Sequence, residues 1–230
     1  MRKKMAYAVV TIDDDNNPII ASVPSDASRV VLIVNTHRVV IRVADLAAHK
    51  LPLDPAAEWQ LVQEHFPFGP VLDENTHIFD GSVFDNADGG CCFMMAALPR
   101  AVSEAAAKIG IEQWGSVHKL ERLDTIEHML FRHYVDKNPK PLWIVFPQDL
   151  GFRVLSIDSG LPKGAHYIRN HPVMREVEFD RAWQVDRPGC VVLLASDDGS
   201  EDKYLWLRDL LHEWGAAEVI EEPFSSLPWF

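Results

Sequence analysis

Short apolar runs separated by polar turns occupy the first 45 residues and predict β-strands. A β-branched run from Ala6 to Ile12 is followed by a polar turn from Asp13 to Pro18 and by a second run from Ile19 to Val23. Two such runs around a turn predict a β-hairpin. Two further runs, Val30–Val34 and Val39–Val43, predict two more strands.

The middle of the chain alternates between helical and strand patterns. A helix is predicted from Pro55, because proline fits the first turn of a helix, and it ends at Pro67. The nearly continuous apolar run Cys91–Leu98 is typical of a strand that is covered on both faces. The other elements predicted here are a strand over Thr76–Phe84, a helix from Pro99 to Ile109 that stops at Gly110, a strand over Trp114–Leu120, and an amphipathic helix marked by Leu123, Ile126, Leu130, Phe131 and Tyr134.

The last third of the chain has a clearer order of elements. Asp136–Pro141 carries two prolines in three residues and predicts an internal boundary. After this boundary the pattern predicts three meandering strands, then a helix, a strand, a helix and a strand. These elements are Leu142–Phe146, Phe152–Ile157, Gly164–Ile168, Val173–Trp183, Cys190–Ala195, Tyr204–Trp214 and Glu218–Ile220. Antiparallel strands followed by crossover helices imply a mixed sheet with helices on its faces.

This order of elements predicts the domain organisation. It is the ribonuclease-H-like order found in each half of the actin-like fold, and the first half of the chain can be interpreted in the same way. We therefore predict an α/β protein with mixed sheets and two such lobes, residues 1–138 and 139–230. The segment from about residue 30 to residue 84 is predicted as an inserted β-α-β unit in the first lobe. No sequence repeat relates the halves, so the duplication rests on element order.

Composition narrows the class of protein. The net charge of −12 repels phosphate backbones and argues against nucleic-acid binding; it would suit a basic partner, although solubility alone is the simpler explanation. The three cysteines, Cys91, Cys92 and Cys190, have no framework spacing and predict buried thiols in a reducing compartment. No stretch reaches the roughly 18 apolar residues of a membrane span, and the basic N-terminus lacks a signal-peptide core. We expect a cytoplasmic protein that reaches a membrane only through a partner.

Four local patterns carry a resemblance to a known family. They are Val39–Leu46, Glu58–Phe68, Cys91–Gly110 and Phe152–Ile168, and none of them is specific alone. In their order and spacing, over about 140 residues, they resemble the actin-like pilus-assembly and secretion-platform proteins of the PilM and GspL types. The resemblance implies an actin-like fold and a scaffold role on the cytoplasmic face of the inner membrane. Members of that family typically hold the cytoplasmic tail of a membrane partner in a groove.

The chain departs from the ATP-binding members of this family. Those members carry Asp-x-Gly after the first strand of the second half, whereas the matching stretch here is Phe146–Gly151, in which Pro147 removes an amide donor. The first-half turn, Asp13–Pro18, has no glycine, and its adjacent carboxylates would repel a triphosphate unless a metal intervened. We therefore expect no cofactor and no ATP turnover. Residual phosphate or adenine contacts would involve Asp149, Gly151 and Gly199.

Two apolar clusters that contain proline are candidates for a partner contact. One contains Phe66 and Phe68, and the other ends in Trp229. Exposed aromatic residues of this kind are typical of protein interfaces. Packing against the chain's own core is the alternative for both clusters.

Other reactive side chains have simpler interpretations. His118, His128 and His133 form the densest histidine group, but His128 and His133 diverge by about 140° on a helix, so we predict core or solvated histidines and no metal site. Cys91 and Cys92 lie in an apolar strand, where thiols are inert. Asp158-Ser159-Gly160 is a hairpin turn and not a nucleophile elbow.

The functional hypothesis is a non-catalytic scaffold or adaptor of a type IV pilus-like or type II secretion-like assembly platform. It would bind the cytoplasmic tail of a bitopic inner-membrane protein in a groove between the lobes or beside the inserted segment. The sequence does not assign the groove residues and leaves a homodimer open. One alternative is an actin-like-fold ATPase or small-molecule kinase, which needs a phosphate loop. The other is an unrelated α/β protein, which a structure without the three-strand meander in the second half would favour.

Overall fold

A computed structural model describes most of the chain. The described residues are 5–13, 15–20, 29–46, 51–66, 72–114, 120–135, 137, 140–148, 150–195 and 204–229.

Twelve strands and five helices lie within the described residues. The strands are β1 (Met5–Ile12), β2 (Pro18–Ile20), β3 (Arg29–Asn35), β4 (Val40–Leu46), β5 (His77–Asp85), β6 (Cys91–Pro99), β7 (Leu120–Thr125), β8 (Leu142–Gln148), β9 (Gly151–Asp158), β10 (Leu161–Arg169), β11 (Cys190–Ala195) and β12 (Glu218–Pro223). The helices are α1 (Pro55–His65), α2 (Arg100–Trp114), α3 (Ile126–Tyr134), α4 (Arg175–Asp186) and α5 (Leu205–Glu213). The prediction of a mixed α/β protein is confirmed.

The first sheet has the order β2-β1-β3-β7. β1 and β2 are antiparallel, which confirms the predicted hairpin, and β3 runs parallel to both β1 and β7. The predicted strand Val30–Val34 therefore lies beside β1 in this sheet. The predicted domain limits at residue 138 and around residues 30–84 stay predictions, but strand pairing assigns β3 to the same sheet as β1.

A second, smaller sheet has the antiparallel order β4-β6-β5, and we call it the small sheet. Helix α1 begins with Asp54 as its N-cap and Pro55 in its first turn, and it packs against one face of this sheet. The opposite face contributes Cys92, Met94 and Leu98 to the main core. The central strand β6 is thus buried on both faces, as its continuous apolar run predicts.

The third sheet has the order β10-β9-β8-β11-β12 and forms the second lobe with α4 and α5. Its first three strands are the predicted antiparallel meander, and β11 and β12 continue the sheet in parallel. A structure without this meander would have favoured the unrelated-protein alternative, and the meander is present. Phe179 and Trp183 of α4 and Leu207 and Leu211 of α5 cover one face of the sheet.

One hydrophobic core continues from the first sheet into the second lobe. It contains Val10 of β1, Phe131 of α3 and Phe146 of β8, all fully buried. The face of the third sheet opposite α4 and α5 therefore packs on the first lobe. Because the two lobes share this core, their relative position is part of the fold.

The predictions around residues 110–125 are partly wrong. Helix α2 continues through Gly110 to Trp114, so the predicted stop at Gly110 and a strand beginning at Trp114 are incorrect. The strand is Leu120–Thr125, and it includes Leu123, which the pattern assigned to the next helix. Gly110 is buried, and packing of α2 against the sheets outweighs the tendency of glycine to end a helix.

None of the described helices is both long and apolar enough to cross a membrane.

The three cysteine thiols should be unreactive in the folded chain. All three are free and buried, and burial, together with the neighbouring Cys91 and Asp45, raises the pKa of Cys92 to about 12. Because only the thiolate reacts, we expect a disulfide reagent at about pH 8 to modify no cysteine in buffer and all three in concentrated guanidinium chloride. Rapid modification of a native thiol would contradict this packing.

Candidate functional site

The turn between β1 and β2 is held by its own side chains. The Asp13 carboxylate accepts hydrogen bonds from the amides of Asp15, at 2.9 Å, and Asn17, at 2.7 Å. Arg38 donates to the side-chain oxygen of Asn16 at 2.6 Å and to the Asp13 carbonyl at 3.4 Å. The Asp13 carboxylate thus caps a tight turn in which Asn16 has a φ of 63°.

Of the three predicted phosphate-loop residues, the structure describes Gly151, which is the first residue of β9. A Cβ atom at this position would lie 2.2 Å from the Ile168 carbonyl oxygen and 3.0 Å from the Arg169 Cα. The close approach of β10 therefore explains why glycine is needed here. Asp149 and Gly199, the other two predicted residues, lie outside the described residues.

The connector Thr36–Val39, between β3 and β4, contacts the β1–β2 turn and the strands β8 and β9. Its Arg38 bonds to the first turn, and its backbone bonds to the second lobe. Arg153 of β9 donates to the carbonyls of His37 and Val39, each at 3.1 Å, and Gln148 of β8 donates to the Thr36 carbonyl at 3.3 Å. The two lobes are therefore joined by direct hydrogen bonds between this connector and the strands β8 and β9.

A buried carboxylate completes this junction. Glu127 of α3 is fully buried; its Oε1 lies 3.1 Å from the Arg153 Nε and accepts a hydrogen bond from Gln148 at 3.3 Å. The second carboxylate oxygen, Oε2, has no hydrogen-bond partner among the described residues. Burial consequently raises the pKa of Glu127, and the ion pair with Arg153 offsets this effect only in part. We call Glu127, Gln148 and Arg153 the junction triad.

A separate cavity of about 160 Å³ lies between the small sheet and the elements α2, β7 and α3. We call it the sheet–helix groove. Its walls come from β5 and β6 on one side and from α2, β7 and α3 on the other. They comprise Ile78, Asp80, Gly81, Ser82, Met94, Ala96, Leu98, Ser103, Leu123, Asp124, Thr125 and His128.

The charged groups of this groove differ in how they are satisfied. Asp124 is buried and pairs with Arg122 at 2.6 Å and with the His128 Nδ1 at 2.5 Å. Burial opposes ionisation, but the hydrogen bond from His128, the Arg122 guanidinium and the Thr125 amide together hold the pKa of Asp124 below its usual value. Asp80, in contrast, is exposed and forms no ion pair among the described side chains.

The histidines of α3 pack as the sequence predicts. The buried His128 accepts a hydrogen bond from Arg132 at its Nε2, at 3.0 Å, so its Nδ1 carries the proton towards Asp124. His133 bonds to Lys137 at 2.6 Å, and burial and the Lys137 charge lower its pKa. His118 lies outside the described residues. Within the described part of the chain, no group of three His, Cys, Asp or Glu side chains could hold a metal ion.

The predicted partner residues that the structure describes are buried. Phe66 packs edge-on against Phe79 with ring centroids 5.4 Å apart, and Trp229 packs edge-on against His133 at 5.1 Å. Both therefore pack against the chain's own core, as in the alternative interpretation, and their role in a partner contact stays a prediction. Phe68 lies outside the described residues.

Comparison with known proteins identifies the fold. No protein-family model matches the chain, and no curated protein matches it. A solved structure from Bacteroides thetaiotaomicron, a protein with actin-like ATPase fold and unknown function, is similar with a TM-score of 0.54 and 9% identity over 96% of this chain and 92% of that chain. A chain of the PilM-PilN type IV pilus biogenesis complex is similar with a TM-score of 0.59 and 13% identity, over 86% of this chain and 70% of that chain.

The chain has an actin-like fold. In this actin-like chain, the turns that follow the first strand of each lobe are the β1–β2 turn and the β8–β9 turn. Arg38 of the connector bonds to the first of these turns, and the connector backbone bonds to Gln148 at the end of β8 and to Arg153 of β9.

Sequence reasoning missed the junction triad and the groove. The only available signal for the triad was a lone charge in an apolar element, namely Arg153 within Phe152–Ile157 and Glu127 beside Ile126. Charges inside apolar stretches are buried only when they are paired, so each predicts a partner but does not name it. The groove has no local signal because its walls come from five separate elements.

Replacing Gly151 should destabilise the fold through strand packing. We expect Gly151→Ala to lower the free energy of unfolding by about 2 kcal/mol or more, because the new methyl group would collide with the β10 backbone. Gly164→Ala is the matched control within the β9–β10 pair, since the nearest atom to its Cβ would be 4.0 Å away, and it should change stability by less than about 1 kcal/mol. Urea unfolding of both variants checks this, and equal stabilities would refute the packing explanation.

Breaking the junction triad should be costly and dependent on pH. Arg153→Met leaves the buried Glu127 charge unpaired, and we expect a loss of about 3–5 kcal/mol in unfolding free energy near pH 7. Burial raises the folded-state pKa of Glu127, and removing the Arg153 charge, which lowers this pKa, raises it further. Proton uptake therefore favours the folded state of the variant, and the loss should shrink as the pH is lowered. Denaturant unfolding across pH measures both effects.

The surface pair of Lys163 and Asp158 provides the control for that experiment. Its side chains are exposed and 3.3 Å apart, so Lys163→Met should cost less than about 1 kcal/mol and show no comparable recovery at low pH. Equal losses for the two variants would mean that Glu127 and Arg153 do not form a buried pair.

Proposed function

We propose that this chain is a non-catalytic adaptor that binds the cytoplasmic tail of a single-span inner-membrane protein in a pilus-like or secretion-like assembly platform. The observation that carries the proposal is the sheet–helix groove, which lies beside the small sheet and is open to an incoming peptide side chain. Under this proposal the chain is cytoplasmic and reaches the membrane through its partner.

The size and lining of the groove suit a peptide side chain. Its volume of about 160 Å³ is well below the roughly 300–1,000 Å³ of pockets that enclose drug-sized molecules. Met94, Ala96 and Leu98 provide an apolar floor, and Asp80 adds an exposed carboxylate at the rim. An apolar residue next to a basic one would satisfy both features, and the net charge of −12 would favour the approach of a basic tail.

The junction between the lobes supports a binding role without turnover. Arg153 and Gln148 bond directly to the connector, and Glu127 supplies the counter-charge inside the interface. The lobes are thus held together by the chain's own groups and by a shared core, so a bridging nucleotide is not required to keep them in register.

One of the two structural neighbours supports the same class of function. One neighbour is a chain of the PilM-PilN type IV pilus biogenesis complex, in which the two proteins are bound to each other. Because the sequence identity is only 13%, this similarity shows the fold and does not by itself show a function. The size and lining of the sheet–helix groove are the independent argument that this chain binds a partner.

Two matched substitutions on β5 test the proposal. Ile78 and Val83 are similarly exposed, at 39% and 40%, but Ile78 lines the groove whereas Val83 lies on the opposite face of the strand. Synthetic cytoplasmic tails of single-span membrane proteins encoded beside this chain would be tested by pull-down and calorimetry. We expect one tail to bind with micromolar affinity, Ile78→Lys to weaken binding at least about tenfold, and Val83→Lys to leave it within about threefold.

Two outcomes would contradict the proposal. Equal effects of Ile78→Lys and Val83→Lys would remove the groove as the binding site. Micromolar binding of Mg-ATP in calorimetry, together with no captured tail, would favour the actin-like ATPase or kinase alternative.

A further inference from the structure

β5 is an edge strand of the small sheet. β5 is nine residues long and terminates the small sheet, and no described strand pairs with its outer side. An exposed strand edge presents unpaired backbone groups and readily accepts another strand. This edge borders the sheet–helix groove.

The backbone of β5 shows which groups face outward. The Gly81 amide donates a hydrogen bond to the carboxylate of its own neighbour, Asp80, at 2.8 Å, so it does not bond to β6. Antiparallel pairing alternates inward and outward groups, and the Val83 amide therefore points the same way as the Gly81 amide. The Asp80 carboxylate thus accepts the hydrogen bond that the Gly81 amide could otherwise donate to an added strand.

The side chains beside this edge match the period of a strand. Ile78, Asp80 and Ser82 alternate along β5 and all line the groove. The facing wall includes Leu123 and Asp124 of β7, which is itself the last strand of the first sheet. The edge strands of two sheets, β5 and β7, therefore both line this cavity. A peptide bound in the cavity would have a strand on either side.

We propose that the partner's tail binds in extended form, as a strand added to the outer edge of β5. This inference rests on the proposed function and adds the mode of recognition. A carbonyl oxygen of the tail accepts a hydrogen bond from the Gly81 amide and displaces the Asp80 carboxylate. One apolar side chain of the tail enters the groove, and a basic side chain two positions along pairs with the released Asp80. The occupant is thus an extended peptide that alternates apolar and basic residues.

A selection experiment provides the probe. Random peptides of roughly ten residues, long enough to span β5, would be selected by display against the full chain, and the winners tested against Ile78→Lys. The control is Ile111→Lys, at an exposed isoleucine of α2 that does not line the groove. Each peptide that is sensitive to Ile78→Lys would then be N-methylated at one backbone position at a time. We expect methylation at every second residue to weaken binding about tenfold or more, and methylation at the intervening residues to have little effect. Amide exchange at Gly81 and Val83 should slow at least about tenfold in the complex.

The outcomes separate this inference from the proposed function. Peptides that depend on Ile78 but show no alternation in N-methylation, and no slowing at Gly81 and Val83, would overturn strand addition and leave groove binding intact. Failure to select any peptide that depends on Ile78 would overturn both. Alternation together with slowed exchange would establish the added strand.

Discussion

The buried ion pair between Glu127 and Arg153 is the constraint on which the arrangement of the lobes depends. A charge removed from water is tolerated only when a partner of opposite charge is held close to it, and here the two partners come from α3 and β9. Gln148 adds hydrogen bonds to Glu127 and to the connector, so separating the lobes would expose several polar groups together. The shared hydrophobic core acts in the same direction, since Phe131 and Phe146 belong to one cluster.

The same helix also builds one wall of the sheet–helix groove. Helix α3 is capped by Thr125, whose side chain accepts the His128 amide, and it directs Glu127 into the junction while His128 lines the groove. These two residues are adjacent in sequence, so the position of the groove wall is tied to the pairing of the junction triad.

The actin-like fold by itself does not assign a function, because one fold hosts many activities. The local chemistry is more informative. At the ends of the first strands, Asp13 caps its own turn and Gly151 accommodates the β10 backbone, so both residues have structural roles. Beside the small sheet, an apolar cavity, an exposed carboxylate and an open strand edge lie together. That combination suits recognition of an extended, basic peptide better than it suits chemistry on a nucleotide.

The sequence by itself determined the elements whose signal is local. The runs Cys91–Leu98 and Cys190–Ala195 predicted buried strands, and the order after residue 141 predicted the meander of the second lobe, because a strand covered on both faces must be apolar along its whole length. Tertiary packing decided the outcome where it outweighed the local signal. At Gly110 the local signal predicts the end of a helix, but α2 continues to Trp114. Tertiary packing also decided the pairing of Glu127 with Arg153, 26 residues apart, and the walls of the groove. These sites depend on distances between residues far apart in the chain, and such distances are set only when the separate elements pack against one another.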